Sequence, residues 1–530
     1  MPPLTPAAAG SPEPRGERIP QCAHPPIPCP SPLAATKEDN VSAPFIQQAV
    51  LDAVPTDLFI AGRWLPAANR ATFPVEDPAT GHVVAHVADA TAQDGLDALA
   101  AADSAQAGWA TVPPLERAHI LRRTHDLLLE RTEHFALLIT IEMGKSLAES
   151  RSEVAYAANY LRWFAEEAVR IDGNWKVSED GSARVLVMHQ PVGPSLLITP
   201  WNAPLAMPAR KLGPALAAGC TAVVKPAAQT PLTTNAFVAL LSEAGLPDGV
   251  VNVVPTTRAP ELSTPLLADS RLRKVSFTGS TQVGRLLLAQ AAENVLRTSM
   301  ELGGNAPFVV CNDADLDSAV QGAMTAKLRN IGEACIAANR FIVHEDVAEE
   351  FASRLGERMA ALRLGSGAAP DTDLGPLIDE RQRRRVADLV VEATAAGARL
   401  RIGGHVPEGP GWFYPPTLLT DIPRGARITR EEIFGPVAAI QTFSTDEEAL
   451  NTANDTEYGL VSYVYTQNLD RALHMVERLE TGMVGLNRGY VSDASAPFGG
   501  IKQSGVGREG GNSGIDEYLE EKYVAINAAA

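Results

Sequence analysis

Apolar positions along the chain change rhythm three times. From Leu58 to Val87 short runs are broken by turn residues at Asn69 and at Pro78-Ala-Thr-Gly81, the pattern of strands and turns. His82-Val-Val-Ala-His86-Val lies here and reads as a strand, not as a helix that would bring two imidazoles to one metal. From Pro113 to about Ile171 the pattern turns helical, with Ile120, Leu121, Leu127, Leu128, Phe135, Leu138 and Ile139 near helical spacing. Short apolar runs at 195–199, 221–225, 250–254 and 274–278 then alternate with helical stretches over 205–217, 233–243, 261–267 and 282–292. This alternation predicts βαβ units and a parallel sheet, whose ligands bind beyond the strand carboxyl ends. After Cys335 a second α/β series begins, with a strand at 341–343 and helices over 348–362, 381–396, 446–453 and 470–480. Residues 184–188 and 518–526 read as outlying strands suited to pairing between subunits.

Length and composition narrow the picture. A chain of 530 residues exceeds what one core holds, so two or three packed units are expected. The first 44 residues carry twelve of the forty prolines and almost no large apolar side chains, and are expected to be a disordered extension. That segment lacks the apolar core of a secretory signal, and Glu13 and Glu17 count against a transit peptide. A net charge of −18 argues against nucleic acid or an anionic membrane as partner. No run of eighteen apolar residues suggests a membrane span. The five cysteines, Cys22, Cys29, Cys220, Cys311 and Cys335, are sparse and odd in number, which suits a reducing cytoplasm and offers neither a disulfide framework nor a zinc site. No metal is expected.

Five stretches carry candidate chemistry, and each has a plainer reading. Phe277-Thr-Gly279-Ser280-Thr-Gln-Val-Gly284 ends a strand and opens a helix, where free N–H groups suit a phosphate; a plain strand-to-helix turn looks the same. Lys225-Pro226 ends another strand, where a lysine reaches a nucleotide or simply solvent. Asn202 in Thr199-Pro200-Trp201-Asn202 suits an oxyanion donor or a helix cap. Glu301, before Leu302-Gly303-Gly304, suits a general base or an ordinary surface carboxylate. Cys335, in Asn330-Ile-Gly-Glu-Ala-Cys335-Ile-Ala-Ala, has small neighbours that leave access to its sulfur; a buried structural cysteine is the alternative.

Taken in order, Pro200-Trp201-Asn202, Lys225-Pro226, Phe277-Thr-Gly-Ser280, Glu301-Leu-Gly-Gly304, Cys335, Glu431-Glu432-Ile-Phe434-Gly-Pro436 and Pro497-Phe-Gly-Gly500 resemble the aldehyde dehydrogenase superfamily from about Leu58 to the C-terminus. The resemblance implies an α/β fold with a Rossmann-type cofactor domain over 45–302, a catalytic domain over 303–485, and a return over 486–530. A small β element for oligomerisation would use 177–194 and the final strand, making a homodimer or homotetramer. It implies Cys335 as nucleophile, the Asn202 amide and Cys335 N–H as oxyanion hole, and Glu301 as base for thioester hydrolysis. Lys211 matches a lysine near the family's active site. The cofactor would lie against Thr199, Pro200, Trp201, Lys225, Ala228, Gly279, Ser280, Gly284, Leu302, Glu432 and Phe434.

Members that prefer NAD commonly carry a glutamate where this chain has Ala228, so the resemblance implies NADP, with NAD tolerated. Val192-Gly-Pro, Arg210-Lys211, Lys502-Gln-Ser-Gly505 and Gly507-Arg-Glu-Gly510 lean toward the succinate-semialdehyde dehydrogenase branch, whose carboxylate-binding positions fall on Arg210, Arg329 and Ser492. Either arginine in a structural ion pair would leave a broader aldehyde dehydrogenase, and a five-carbon semialdehyde is a further alternative. A CoA-acylating member is disfavoured by Glu301, and a non-catalytic relative by the joint presence of Cys335, Asn202 and Glu301. Three departures stand out. Gly332-Glu333-Ala334-Cys335 replaces the branch's Gly-Gln-Thr-Cys, so Glu333 disfavours a thiolate if it points inward and is harmless if it points away. Ala337 stands where some members place a second cysteine, so no disulfide switch forms there. Arg488 and Tyr490 reshape the expected tunnel mouth.

Overall fold

The computed structural model describes residues 43–527. The proline-rich extension lies outside them except for its last two residues, which open the helix Ala43–Asp52, so that boundary moves back by two. Five parallel strands form the centre of the first sheet, in the spatial order Val251–Val253, Ala222–Lys225, Ser195–Ile198, Lys274–Thr278 and Arg297–Glu301. Numbered along the chain this is 3-2-1-4-5, with the order reversing between Ser195–Ile198 and Lys274–Thr278. Their apolar runs are continuous rather than alternating because helices cover both faces, and every residue of Ala222–Lys225 and Lys274–Thr278 is buried. The helices Ala206–Ala218, Pro231–Glu243, Ala259–Ala268 and Thr281–Glu293 fall on the expected stretches.

The second sheet has seven strands, in the order Arg399–Ile402, Thr417–Thr420, Val437–Phe443, Ala338–His344, Ala306–Val310, Val461–Tyr465 and Met483–Leu486, all parallel but the first. It begins before Cys335, not after it, because Ala306–Val310 is a central strand. Only four residues separate Glu301, ending a strand of the first sheet, from Ala306, opening one of the second. The chain's end returns to the first sheet: Gly505–Val506 pairs antiparallel with Met300 and Glu301. Gly505 has φ +142°, and a Cβ there would collide with the Met300 carbonyl, so glycine lets the return strand lie against the base of Glu301.

The outlying strands pair with each other inside one chain. Leu519–Asn527 lies antiparallel to Ala183–Pro191, which also pairs with Asn174–Val177. The sequence reading had sent both toward a second subunit. His82–Ala88 is a strand, as its alternation predicts.

Two kinds of element escape the pattern. The helix Ala92–Thr111 is built on small residues and shows no stripe of large apolar ones, although Thr91 and Asp94 form the reciprocal capping box that marks its start. The strand Arg297–Glu301 is polar in sequence and is a strand because two neighbours complete its hydrogen bonding. Among the described residues no helix is long and apolar enough to cross a membrane.

Candidate active site

The reversal of strand order opens a crevice at the carboxyl ends of Ser195–Ile198 and Lys274–Thr278. The chain leaves these ends as Thr199-Pro200-Trp201-Asn202 and Gly279-Ser280. Between them and the second sheet lies a cavity of about 350 Å³. Pro200, Trp201, Asn202, Gly279 and Ser280 line it from the first sheet, with Glu301 and Leu302 below. Cys335, Glu432 and Phe434 close it from the other side. Trp201 meets Phe434 edge to face at 5.3 Å, so both rings are held at its wall. Ser280 caps the helix Thr281–Glu293 by accepting from the Val283 N–H. Glu432 accepts from the Gly304 N–H at 3.2 Å, and burial pushes its carboxyl up to about 7.

Not every expected cofactor residue reaches this cavity. Gly284 does not: a Cβ there would collide with the Leu302 side chain, so this glycine serves the packing of its helix. Thr199, Lys225 and Ala228 also lie outside the lining, and Gln229 reaches it instead. The Thr199 N–H donates to the Lys225 carbonyl at 3.1 Å, tying the two strand ends together. Lys225 is buried and donates to the Pro226 carbonyl at 3.0 Å; burial pushes its ammonium down to about 8. Among the described residues no carboxylate forms an ion pair with it, which leaves the charge available to an anionic ligand.

A second cavity of about 70 Å³ shares Asn202, Met207 and Cys335 with the first. Cys335 thus stands between two spaces. It follows the turn Arg329–Gly332, in which Asn330 (φ 55°), Ile331 (φ 61°) and Gly332 (φ 78°) are all left-handed. Two consecutive non-glycine residues in that region store strain, which the surrounding contacts must hold. Asn330 supplies several: its N–H donates to Glu149 Oε1 at 2.5 Å, and its amide to the carbonyls of Asn202 (2.9 Å) and Glu333 (2.8 Å). Gly304 must be glycine, since a Cβ would lie 2.6 Å from the Cys335 carbonyl oxygen.

Asn202 donates through Nδ2 to the Glu333 carbonyl at 2.9 Å. A primary amide has two N–H groups, so the other remains for a ligand beside Cys335. Below it, Lys145 donates to the Asn202 carbonyl at 2.9 Å and pairs with Glu153 at 2.5 Å. Glu153 in turn accepts from the N–H groups of Leu205 and Ala206 at the start of the helix Ala206–Ala218. Sequence reading missed Lys145 and Glu153; their spacing of eight resembles any helix-borne charge pair.

Glu301 is buried, and its Oε2 lacks a hydrogen-bond partner among the described residues. Burial first, then the neighbouring Glu509 carboxylate, push its pKa well up, against Arg210, Lys211 and Arg508. Lys211 does not line either cavity; it donates to Glu509 Oε1 at 2.7 Å and to Ser276 Oγ at 2.8 Å. Arg210 also meets Glu509, at 2.6 Å, and lies 4.0 Å over the Phe498 ring. The predicted carboxylate clamp is therefore half committed to an internal ion pair, although Arg210 still lines the smaller cavity. Against the pull of burial, Lys211 and Arg210 hold Glu509 below its ordinary range. Glu509 lies in the Gly507-Arg-Glu-Gly510 stretch, but nothing in that stretch says that its carboxylate meets Lys211 and Arg210.

Arg329 is in a different position. Its guanidinium lies 4.2 Å over the Tyr490 ring and lines the smaller cavity, and no carboxylate among the described residues forms an ion pair with it. Ser492 lies beside it, sharing a hydrogen bond with the Tyr156 hydroxyl. An outer hollow of about 750 Å³ continues from Arg329, Tyr156, Tyr490 and Ser492 to Arg162 and Arg488. A still larger hollow, of about 950 Å³, lies far from this chemistry, among charged residues of the second sheet that pair with one another, such as Arg424 with Glu448 and Arg430 with Asp455.

Comparison with known proteins agrees with this geometry. Residues 64–524 match the model of the aldehyde dehydrogenase family. A succinate-semialdehyde dehydrogenase of Paenarthrobacter nicotinovorans is 56% identical over 444 residues, 84% of this chain and 99% of the relative. A glutarate-semialdehyde dehydrogenase of Pseudomonas putida is 46% identical over 469 residues, 88% of this chain and 97% of the relative. Among solved structures, an NADP-dependent enzyme of E. coli is 44% identical with a TM-score of 0.89, covering 90% of this chain and 98% of that one.

Burial pushes the Cys335 thiol up to about 12, with Arg210 opposing and Glu432, Glu301 and Glu509 adding to the rise. The resting protein therefore holds a thiol, not a thiolate, at neutral pH. Alkylation of Cys335 by iodoacetamide in the ligand-free protein is expected to speed up about tenfold per pH unit between about pH 7 and 9. A plateau near neutrality would show that the thiolate is already formed.

Proposed function

The chain belongs to the aldehyde dehydrogenase family, and from that premise we propose that it oxidises succinate semialdehyde to succinate with NADP as hydride acceptor. The observation that carries this reading is Cys335 between two cavities, with the guanidinium of Arg329, which forms no ion pair among the described residues, lining the smaller one. The part of the chain that builds the first sheet, 45–302, would hold the cofactor, and the second, 303–485, would present the nucleophile.

The larger cavity fits a nicotinamide dinucleotide by its donor set. Ser280 opens a helix whose first N–H groups suit a diphosphate, Glu432 suits ribose hydroxyls, and the buried Thr278 Oγ1 has no protein partner. Lys225, with Ala228 in place of a carboxylate, suits a ribose phosphate; the E. coli structure named as NADP-dependent supports this choice. When bound there, a nicotinamide cofactor would supply a hydride acceptor for the adduct held on Cys335. The protein's own part begins when Cys335 loses its proton and attacks the aldehyde carbon. The free N–H of Asn202 and the backbone N–H of Cys335 receive the oxyanion. Arg329, with Ser492 and the Tyr156 hydroxyl nearby, holds the far carboxylate. Glu301, once deprotonated, takes a proton from the water that hydrolyses the thioester, and the acid leaves with Cys335 restored.

Glutarate semialdehyde is the second reading, because the space beyond Arg329 runs on into the outer hollow and the Pseudomonas putida relative bears that name. The protein would act in the cytoplasm, where Cys220, Cys311 and Cys335 stay free. A second copy would cover the small antiparallel sheet, on which Trp175 and Tyr523 are 59% and 62% exposed. Trp175→Asp is then expected to shift the mass measured by light scattering toward the monomer; an unchanged mass would remove that face from the interface.

Kinetics test the substrate and cofactor together. Arg329→Ala is expected to lower kcat/KM for succinate semialdehyde by about a hundredfold while sparing an uncharged aldehyde. The wild type is expected to favour NADP over NAD in kcat/KM. Equal losses on both aldehydes would make Arg329 structural, and a strong NAD preference would overturn the role given to Lys225.

A further inference from the structure

Two buried carboxyl groups near the nucleophile have cationic partners: Glu153 has Lys145, and Glu509 has Lys211 and Arg210. Glu333 has none, and like Glu149 and Glu301 it keeps a buried oxygen without a hydrogen-bond partner among the described residues. It is 0% exposed, two residues before Cys335. Its Oε1 accepts from the Ile378 N–H at 3.2 Å, and its buried Oε2 has no hydrogen-bond partner among the described residues. Two charged groups face it. One is Asp379, next to Ile378 and of the same sign; the other is Lys145, ahead of the helix Leu147–Glu167, whose ammonium already lies 2.5 Å from Glu153. A buried carboxylate anion with one hydrogen bond and no ion-pair partner among the described residues is strongly disfavoured, whereas the neutral acid is not. A neutral carboxylic acid offers one acceptor oxygen and one O–H donor, much as a glutamine side chain offers an acceptor and N–H donors.

The same residue's backbone does the structural work at the site. The Glu333 carbonyl accepts from both the Asn202 amide and the Asn330 amide. The side chain fastens this loop to the Ile378 segment on one side, and the carbonyl aims the Asn202 amide on the other. We propose that Glu333 is a positioning residue that works as a neutral carboxylic acid: it pins the nucleophile loop so that its carbonyl orients Asn202. A neutral side chain at Glu333 adds no negative charge beside the Cys335 sulfur.

Burial pushes the Glu333 pKa well up; the Ile378 N–H and Lys145 oppose the rise and Asp379 adds to it. Above the ordinary glutamate pKa the native state keeps a proton that the unfolded chain has lost. Native stability must therefore fall as pH climbs from that value toward the raised one. Glu333→Gln keeps the shape and removes the titration. In the full chain this variant is expected to melt above wild type, with a gap that widens from about pH 5.5 to about pH 9. A constant or reversed gap would mean that Glu333 is ionised in the native protein, and would overturn the proposal. The second arm is kinetic and rests on the aldehyde-oxidising reading. Glu333→Ala is expected to lose at least about tenfold in kcat with KM for the aldehyde within about threefold, and Glu333→Gln to restore kcat to within about twofold of wild type. Undiminished kcat in Glu333→Ala, or no rescue by glutamine, would overturn the positioning role. If wild type turns over no aldehyde, that failure belongs to the reading of the reaction, and the melting comparison still decides the state of Glu333.

Discussion

The hydrogen bond from the Asn202 amide to the Glu333 carbonyl, 2.9 Å long, joins the two halves of the site. Asn202 hangs from a strand end of the first sheet, and Glu333 belongs to the loop that feeds a central strand of the second. Neither sheet alone forms the pairing of sulfur and amide that the chemistry needs. The bond's net worth is only about 1 kcal/mol, so its importance is geometric: it fixes where the remaining N–H of Asn202 points. The supports below it, Lys145, Glu153 and Asn330, make that direction hard to change.

Desolvation sets the charge state of the working groups. Cys335 and Glu301 are both raised by burial, and in the proposed reaction both would have to lose protons. The site therefore rests in a protonated form, and the cations near it, Arg210 and Lys211, are occupied with Glu509. Arg329 lies over the Tyr490 ring and forms no ion pair with a carboxylate among the described residues, which in the proposed reading leaves it for the substrate side.

Much of this was legible in the sequence. Continuous apolar runs alternating with helices gave the first sheet, because strands buried on both faces cannot alternate. Ordered short motifs located Asn202, Glu301 and Cys335, which the structure brings to one cavity. What escaped did so for identifiable reasons. Arg297–Glu301 is a strand through its neighbours and not its composition, and Glu509 acts across nearly three hundred residues of chain. Gly284 resembled a phosphate-loop glycine because the requirement for a missing Cβ is the same whether a ligand or Leu302 fills the space. The fate of Arg210 could not be read either, since an ion pair and a ligand clamp use the same side chain.

The account stands or falls on a thioester at Cys335 that Glu301 helps to hydrolyse. The most direct measurement is mass spectrometry of the Glu301→Gln variant after incubation with succinate semialdehyde and NADP and an acid quench. The predicted result is a succinyl group on the peptide containing Cys335, removable by hydroxylamine and absent without NADP. A variant that reduces NADP yet leaves Cys335 unmodified, or an acyl group on another residue, would contradict it.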